Sequence, residues 1–157
     1  MRGLVPYFRE LWATDVYDYG VFPLIDFLIP GLWPAAKRPD WIITNPPFRL
    51  AEQFIDRARA VAGVGCAMLV RSTFLEGVGR YERLFSLIPP TIVAPFAERV
   101  PMVKGRCDRA ASTATAYSWL VWVHGMAPQP VQWIPPCRAK LERDSDYPAT
   151  SGDAPHI

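Results

Sequence analysis

The stretch that decides the fold is residues 40–48, with the sequence DWIITNPPF. Its first half is rich in β-branched and aromatic residues, which favour a buried strand. Pro46 and Pro47 lack amide donors and cannot continue a ladder of hydrogen bonds, so we predict that the strand ends at Asn45. This boundary is the clearest one in the chain.

A helical pattern follows the prolines over residues 49–62, and Gly63 and Gly65 end it. Residues 66–70 are an uninterrupted apolar run that predicts a second buried strand. Strand, helix and strand within about thirty residues are typical of a parallel crossover, so we predict the α/β class. The apolar stripe of the helix comprises Leu50, Phe54, Ala58 and Val61, with Ala51 and Ile55 beside it.

The later sequence predicts an antiparallel edge to the sheet. Residues 81–88 have the spacing of a second amphipathic helix, and residues 91–93 predict a strand. The apolar run 117–123 is the last strong strand, and residues 131–134 follow it closely enough to pair with it. We therefore expect a mostly parallel sheet with an antiparallel C-terminal edge. Trp119, Trp122 and Trp133 are expected in its core.

Ahead of residue 40 the expected elements are short. Residues 4–11 carry apolar side chains on one helical face and predict the end of a helix. Residues 11–16 are a short apolar run that predicts a strand with Asp15 at its carboxyl end. Residues 24–28 predict a short strand or a turn, which Pro30 and Gly31 end.

Composition indicates one domain. A chain of 157 residues that is 50% hydrophobic can bury one core, which we place in residues 1–141, and the polar residues 142–157 predict a flexible tail. The charge of +2 points to no partner by itself. We expect a cytoplasmic protein with no membrane segment and no signal peptide. Three widely spaced cysteines and two isolated histidines predict no metal site.

The tetrapeptide Asn45-Pro46-Pro47-Phe48 suits chemistry on an amine. The exocyclic amine of a base is a poor nucleophile because its lone pair is delocalised, so an enzyme must supply hydrogen-bond acceptors. The Asn45 side-chain oxygen and the Pro46 carbonyl can accept the two amine hydrogens, and Phe48 can stack on the base. The alternative is an ordinary turn in which Asn45 caps the helix and Phe48 packs inward.

At these residues the chain resembles Rossmann-like methyltransferases that use S-adenosylmethionine to modify exocyclic amines. It is most similar to the bacterial and phage DNA adenine methyltransferases, whose hallmark is this tetrapeptide. The resemblance covers most of residues 11–123 and implies a Rossmann-like fold, methyl transfer to adenine N6 in DNA, and no metal. It assigns the substrate amine to Asn45, Pro46, Pro47 and Phe48.

The resemblance also implies a site for the methyl donor. Asp15 matches the acid that accepts from the donor's ribose hydroxyls, and Asp26 with Phe27 matches the pair that contacts its adenine. The alternative for both acids is that they form turns. The family's first strand and glycine-rich turn have no counterpart before Asp15, so we expect a chain shortened at its N-terminus with weak or absent donor binding.

The substrate and the partners stay open at this stage. The same tetrapeptide occurs in similar enzymes that act on guanine in RNA or on protein glutamine. A second hypothesis is an inactive remnant that binds nucleic acid, a methyltransferase chain or a second copy of itself. The basic residues Arg99, Lys104, Arg106 and Arg109 predict a loop that contacts phosphates, or an ordinary solvated loop.

Overall fold

A mixed four-stranded sheet organises the part of the chain that the computed structural model describes, residues 3–32, 38–102 and 110–147. Its spatial order is β1-β2-β4-β3. β1 and β2 are parallel, whereas β4 is antiparallel to both of its neighbours. The strands are β1 (Trp41–Thr44), β2 (Gly65–Arg71), β3 (Ile92–Pro95) and β4 (Tyr117–Val123).

The predicted strand, helix and strand around the prolines are confirmed. β1 ends at Thr44, a short 3-10 turn spans Phe48–Leu50, and helix α1 follows at Ala51–Val61. The buried face of α1 is formed by Ala51, Ile55 and Ala58, one step round the helix from the predicted stripe. β1 then pairs in parallel with β2 from Trp41 opposite Gly65 to Thr44 opposite Met68.

The core lies around β2 and β4. The first six residues of β2 are buried in succession, as expected for a strand covered on both faces, and Met68 packs in one cluster with Ile55 and Leu120. Trp122 adds its indole to this cluster, and its Nε1 donates to the Ile88 carbonyl at 2.9 Å. The polar end of a buried tryptophan is thereby satisfied.

Three strands end and one strand begins at the same edge of the sheet. Because β1 and β2 are parallel, their carboxyl ends lie together, and the antiparallel β4 begins there with Tyr117 opposite Arg71. β3 ends at this edge too, with Pro95 opposite Ser118. We call this side of the sheet the carboxyl edge.

The antiparallel strand is inside the sheet and not at its rim, so the expected antiparallel C-terminal edge is corrected. β4 has β2 on one side and β3 on the other, which leaves no free side for residues 131–134. These residues lie beside β3 instead, where the amides of Gln132 and Ile134 donate to the carbonyls of Val93 and Pro95. One of the three strand pairings is therefore parallel, and the sheet is mixed.

The N-terminal region contains turns where short elements were predicted. Residues 3–7 form turns in place of a helix end. Residues 11–16 form no strand. Asp15 makes an isolated parallel bridge to Leu24, and the side chain of Val16 is 70% exposed. The strand-or-turn prediction for residues 24–28 is confirmed as a turn.

Two further predictions are corrected in the second half of the chain. The second helix begins earlier than predicted, as helix α2 at Val78–Arg80, and continues as wider π-helical turns over Tyr81–Phe85. Trp133 is 69% exposed and does not belong to the core, since the segment 131–134 lies outside β3. No helix in the described ranges combines the length and the apolar character needed to cross a membrane.

A carboxylate joins the end of the fold to the exit of β3. Glu98 Oε1 accepts hydrogen bonds from the amides of Cys137 and Arg138, each at 2.6 Å, at the start of helix α3 (Arg138–Leu141). These two amides favour the charged form and lower the pKa of Glu98 below its usual value. Residues 144–146, in the segment predicted to be a tail, form one 3-10 turn.

Candidate functional site

The tetrapeptide begins directly where β1 stops, at the carboxyl edge of the sheet. The Pro46 ring is fully buried, whereas Asn45, Pro47 and Phe48 are exposed. A buried ring fixes the backbone at this point, and proline restricts its own torsion angle φ. Open α/β sheets bind ligands at the carboxyl ends of their strands. Asn45 and Phe48 thus lie on the surface where a ligand is expected.

The alternative of an ordinary capped turn does not describe this segment. No side chain caps either the 3-10 turn at Phe48 or helix α1, so Asn45 has no capping role. Leu50 instead donates its amide to the Pro47 carbonyl at 2.8 Å, which closes the turn through the backbone. The ring of Phe48 is 37% exposed and lies 6.3 Å from the ring of the buried Tyr117, so the protein covers it only in part. The chain therefore uses neither side chain to build the turn.

The side-chain oxygen of Asn45 receives no hydrogen bond from the described residues. Its Nδ2 lies 3.8 Å from the sulfur of Met102, a long contact to a weak acceptor. Within the described ranges no group donates a hydrogen bond to Asn45 Oδ1 or to the Pro46 carbonyl. With its nitrogen towards Met102, the Asn45 amide presents an oxygen that none of the described residues binds.

Phe48 lies beside two residues from the neighbouring strands. The guanidinium carbon of Arg71, the last residue of β2, is 4.4 Å from the centre of the Phe48 ring. The ring centre of Tyr117, the first residue of β4, is 6.3 Å away and tilted by 33°. Ser72 and Ser118 bind each other through their hydroxyls at 2.8 Å and hold these two strand ends together. Pro47, Phe48, Arg49 and Leu50 line a shallow, open depression of about 630 Å³ on the surface.

The two acids assigned to the methyl donor act as turn formers in the structure. Asp15 Oδ1 accepts from the amide of Tyr17 at 2.8 Å, and Asp26 Oδ1 accepts from the amide of Leu28 at 2.9 Å. Both are the short-range turns that aspartate commonly forms. The Asp15 carbonyl also accepts from the amide of Ile25 at 2.9 Å, which brings the two acidic turns together.

Phe27 packs against the helix that follows the tetrapeptide. Its ring centre lies 5.3 Å from that of Phe54 on α1, and the guanidinium of Arg57 lies 5.6 Å from it. The donor residues therefore fit S-adenosylmethionine in part. The second carboxylate oxygen of each acid makes no hydrogen bond among the described residues. However, Phe27 is half-buried against the core cluster, and residues 3–14 contain one glycine, Gly3.

The structure describes one of the four basic residues that were predicted to contact phosphates. Lys104, Arg106 and Arg109 lie outside the described residues. Arg99 lies within them, and its guanidinium donates to the Ala114 carbonyl at 2.6 Å. In the described ranges no three histidine, cysteine or acidic side chains come together in a group that could hold a metal ion.

The sequence reasoning missed Arg71, Tyr117 and Met102 as neighbours of the tetrapeptide. Met102 is 57 positions from Asn45, and no local pattern reports such a contact. Arg71 did carry a signal, because it is the first charged residue after the buried run of β2, close to the end of that strand, as Asn45 is close to the end of β1. Parallel strands bring such exit residues to one edge, so the pair could have been found from the crossover alone.

Comparison with protein-family models, with curated proteins and with solved structures finds no match to this chain.

Proposed function

We propose that this chain is of the Rossmann-like methyltransferase type and transfers a methyl group from S-adenosylmethionine to an exocyclic amine, adenine N6 in DNA above others. One observation carries the proposal. Asn45 and Phe48 are both exposed at the carboxyl edge of the sheet, and neither side chain caps or closes the turn that contains it. A cytoplasmic location is part of this proposal, since it gives access to DNA.

Asn45 and Pro46 would hold the amine. With Asn45 Oδ1 and the Pro46 carbonyl as acceptors, both amine hydrogens are bound, and the nitrogen lone pair is drawn out of conjugation with the ring. When bound, S-adenosylmethionine would supply an electrophilic methyl group. The amine nitrogen would displace this methyl group from the sulfonium sulfur without a covalent enzyme intermediate, S-adenosylhomocysteine would leave, and one amine proton would pass to solvent. Fixed acceptors cost no reorganisation during the reaction, and removing one such group typically lowers the rate by about 10²- to 10³-fold.

Phe48 would hold the base that carries the amine. Stacking of a base on an aromatic ring contributes about 1 to 3 kcal/mol, while extruding a nucleotide from a duplex costs a few kcal/mol. The two terms are of similar size, so an exposed ring at this position offsets much of the extrusion. The carboxamide of a glutamine side chain has far less surface to stack, which favours a nucleobase over a protein substrate.

The test is methyl transfer from radiolabelled S-adenosylmethionine to short oligonucleotides. One DNA strand carries a single adenine, and a matched strand carries hypoxanthine, which has an oxygen in place of the exocyclic amine. We expect label on the adenine strand and none on the hypoxanthine strand. A guanine-containing RNA and a glutamine peptide, assayed in parallel, identify the substrate if DNA is not labelled.

Variants show whether the tetrapeptide is responsible. Asn45→Ala should lower the rate by about 10²-fold or more, because one of two acceptors is lost. Gln53→Ala is the matched control, since Gln53 is an exposed carboxamide on α1. Equal losses in both variants, or equal labelling of adenine and hypoxanthine, would contradict the proposal.

A second candidate function is binding of the substrate without methyl transfer. It is favoured by the donor residues, because both acids already form turns and Phe27 packs against Phe54. In this case the chain is a remnant that binds nucleic acid, a methyltransferase chain or a second copy of itself through the carboxyl edge.

Calorimetric titration with S-adenosylmethionine separates the two candidates. Methyl transfer predicts micromolar binding that is lost in Asp15→Ala, whereas Asp18→Ala, which removes a neighbouring turn-forming acid, should leave it unchanged. The absence of binding at millimolar donor would leave the binding module as the function of the carboxyl edge.

A further inference from the structure

Arg71 is the one strand-end cation that the structure describes in contact with the candidate amine site. β2 has six buried residues followed by Arg71, which is exposed. The guanidinium carbon lies 4.4 Å from the centre of the exposed Phe48 ring. A cation at this distance occupies one face of the ring. Any base that stacks on that face must take its place.

A second arginine shows what a purely structural contact of this kind looks like. Arg80 lies 4.1 Å from the ring centre of Phe74, a residue that is 7% exposed. Its guanidinium also donates to the carbonyls of Phe74 and Glu76, at 2.9 and 2.7 Å. Its Nε lies 3.4 Å from a carboxylate oxygen of Glu52. Arg80 is therefore held by several groups of its own chain.

Arg71 has no such set of partners. Among residues 3–32, 38–102 and 110–147, no carboxylate or carbonyl binds its guanidinium, and its contact is with the Phe48 ring. A guanidinium presents a planar fork of donors that matches phosphate, and it stacks on flat rings as well. None of the described residues neutralises its charge, so Arg71 can bind an anion that approaches the carboxyl edge.

We propose that Phe48 and Arg71 form one subsite for a nucleotide of a single-stranded or extruded DNA segment. This inference rests on the proposed function. Without substrate, Arg71 covers the ring. When a nucleotide binds, the base replaces the guanidinium on Phe48, and the guanidinium moves to a phosphate of the same strand. Arg71 is then a specificity-determining residue, because a protein glutamine brings no phosphate to bind it.

The salt dependence of binding tests this directly. The probe is a fluorescein-labelled twelve-nucleotide single strand with one adenine, titrated with the 157-residue chain at several KCl concentrations and followed by anisotropy. For single strands, each phosphate contact contributes about −0.7 to the slope of log K against log salt. Arg71→Gln should weaken binding about tenfold at low salt and make the slope shallower by about 0.7.

Two further variants distinguish charge at this place from charge in general. Arg59→Gln makes the same change on the last turn of α1, towards the opposite edge of the sheet, and should leave the slope unchanged. Arg71→Lys keeps a cation and should keep the slope, although affinity falls because an ammonium lacks the planar fork. Urea unfolding of each variant checks that the fold is intact.

The outcomes are separable from those of the proposed function. If Arg71→Gln keeps the wild-type slope while Phe48→Ala still weakens binding, the subsite is wrong and the amine site stands. If Arg59→Gln changes the slope as much as Arg71→Gln, the subsite is again wrong. A third outcome is that the wild-type chain binds the adenine strand and a hypoxanthine strand equally, while only Arg71→Gln changes the slope. In that case the subsite stands and amine recognition is wrong.

Discussion

Residues 3–32 and the strands β2 and β4 contain similar sequence signals, yet only the strands form a sheet. The apolar run 66–70 is buried along its whole length between two neighbouring strands. The apolar run 11–13, which likewise is followed within two residues by a charged side chain, is half-buried and forms no strand. Among the described residues, this region is held by turns, by an isolated bridge from Asp15 to Leu24 and by the packing of Phe27 against Phe54.

The difference teaches that an apolar run becomes a strand where other strands are there to pair with it. Ladder hydrogen bonds and cross-strand contacts come from neighbours, and a two-stranded arrangement alone is marginal in water. β2 has neighbours on both sides, whereas residues 11–16 have one bridge among the described residues.

The largest expected effect is cavity formation in the sheet. Leu120→Ala removes a fully buried side chain from β4, and large-to-small changes of this kind cost about 2 to 5 kcal/mol. Leu24→Ala truncates a side chain that is 58% exposed, and its cost should be below about 0.5 kcal/mol. Urea unfolding of the two variants measures both values. Similar losses would show that the N-terminal region is as tightly packed as the sheet.

The next largest effect is a loss of stability on replacing a buried glycine by alanine, with an exposed glycine as the control. A Cβ on Gly65 would overlap the Trp122 carbonyl oxygen and approach the Val123 backbone within 3.2 Å. Gly65→Ala should therefore destabilise the fold by about 1 to 3 kcal/mol, since backbone atoms must shift. Gly3→Ala has nothing within 4 Å and should be neutral to about 0.5 kcal/mol. Thermal unfolding compares them, and a neutral Gly65→Ala would contradict the close approach of β2 and β4.

The third effect depends on pH. Burial at the start of β2 raises the pKa of the Cys66 thiol from 9.0 to about 11. In the unfolded chain this thiol ionises first, so its contribution to stability is complete below pH 9 and is lost as the pH rises towards 11. The free energy of unfolding should fall more steeply over this window in the wild type than in Cys66→Ala. Parallel pH profiles would show that water reaches this position.

The smallest effect is expected at Asp15. Asp15→Ala removes the acceptor for the Tyr17 amide, an exposed hydrogen bond, and should cost no more than about 1 kcal/mol. Asp15→Asn keeps a side-chain oxygen and should cost less. Amide exchange at Tyr17 measures the difference, which should stay local. A global loss of protection in the sheet would mean that the two regions unfold as one unit.

The sequence was sufficient for the elements that surround the prolines. Two successive residues without amide donors end a strand wherever they occur, so the boundary after Thr44 needs no tertiary information. The helix and the strand 66–70 are likewise indicated by their own apolar patterns. The positions of Asn45 and Phe48, directly after β1, follow from the strand boundary. These features are local, and the structure confirms the strands and the helix.

The features that sequence could not supply are long-range. The interior position of β4 depends on which strand it pairs with, and residues 131–134 have a pattern equally suited to either neighbour. The π-helical turns at Tyr81–Phe85 place Leu84 in the core cluster, and its partners there are distant in the sequence. The contact between Asn45 and Met102 joins residues that are 57 positions apart, and no local pattern indicates it.

The central claim, that Asn45 and Phe48 receive an exocyclic amine at the carboxyl edge, is tested most directly by nuclear magnetic resonance. The side-chain amide of Asn45 and the ring of Phe48 are followed while deoxyadenosine monophosphate or deoxyinosine monophosphate is added. The account predicts that both nucleotides shift the Phe48 ring, whereas only the adenine nucleotide shifts the Asn45 amide. Equal shifts of Asn45 with the two nucleotides, or none with either, would contradict it.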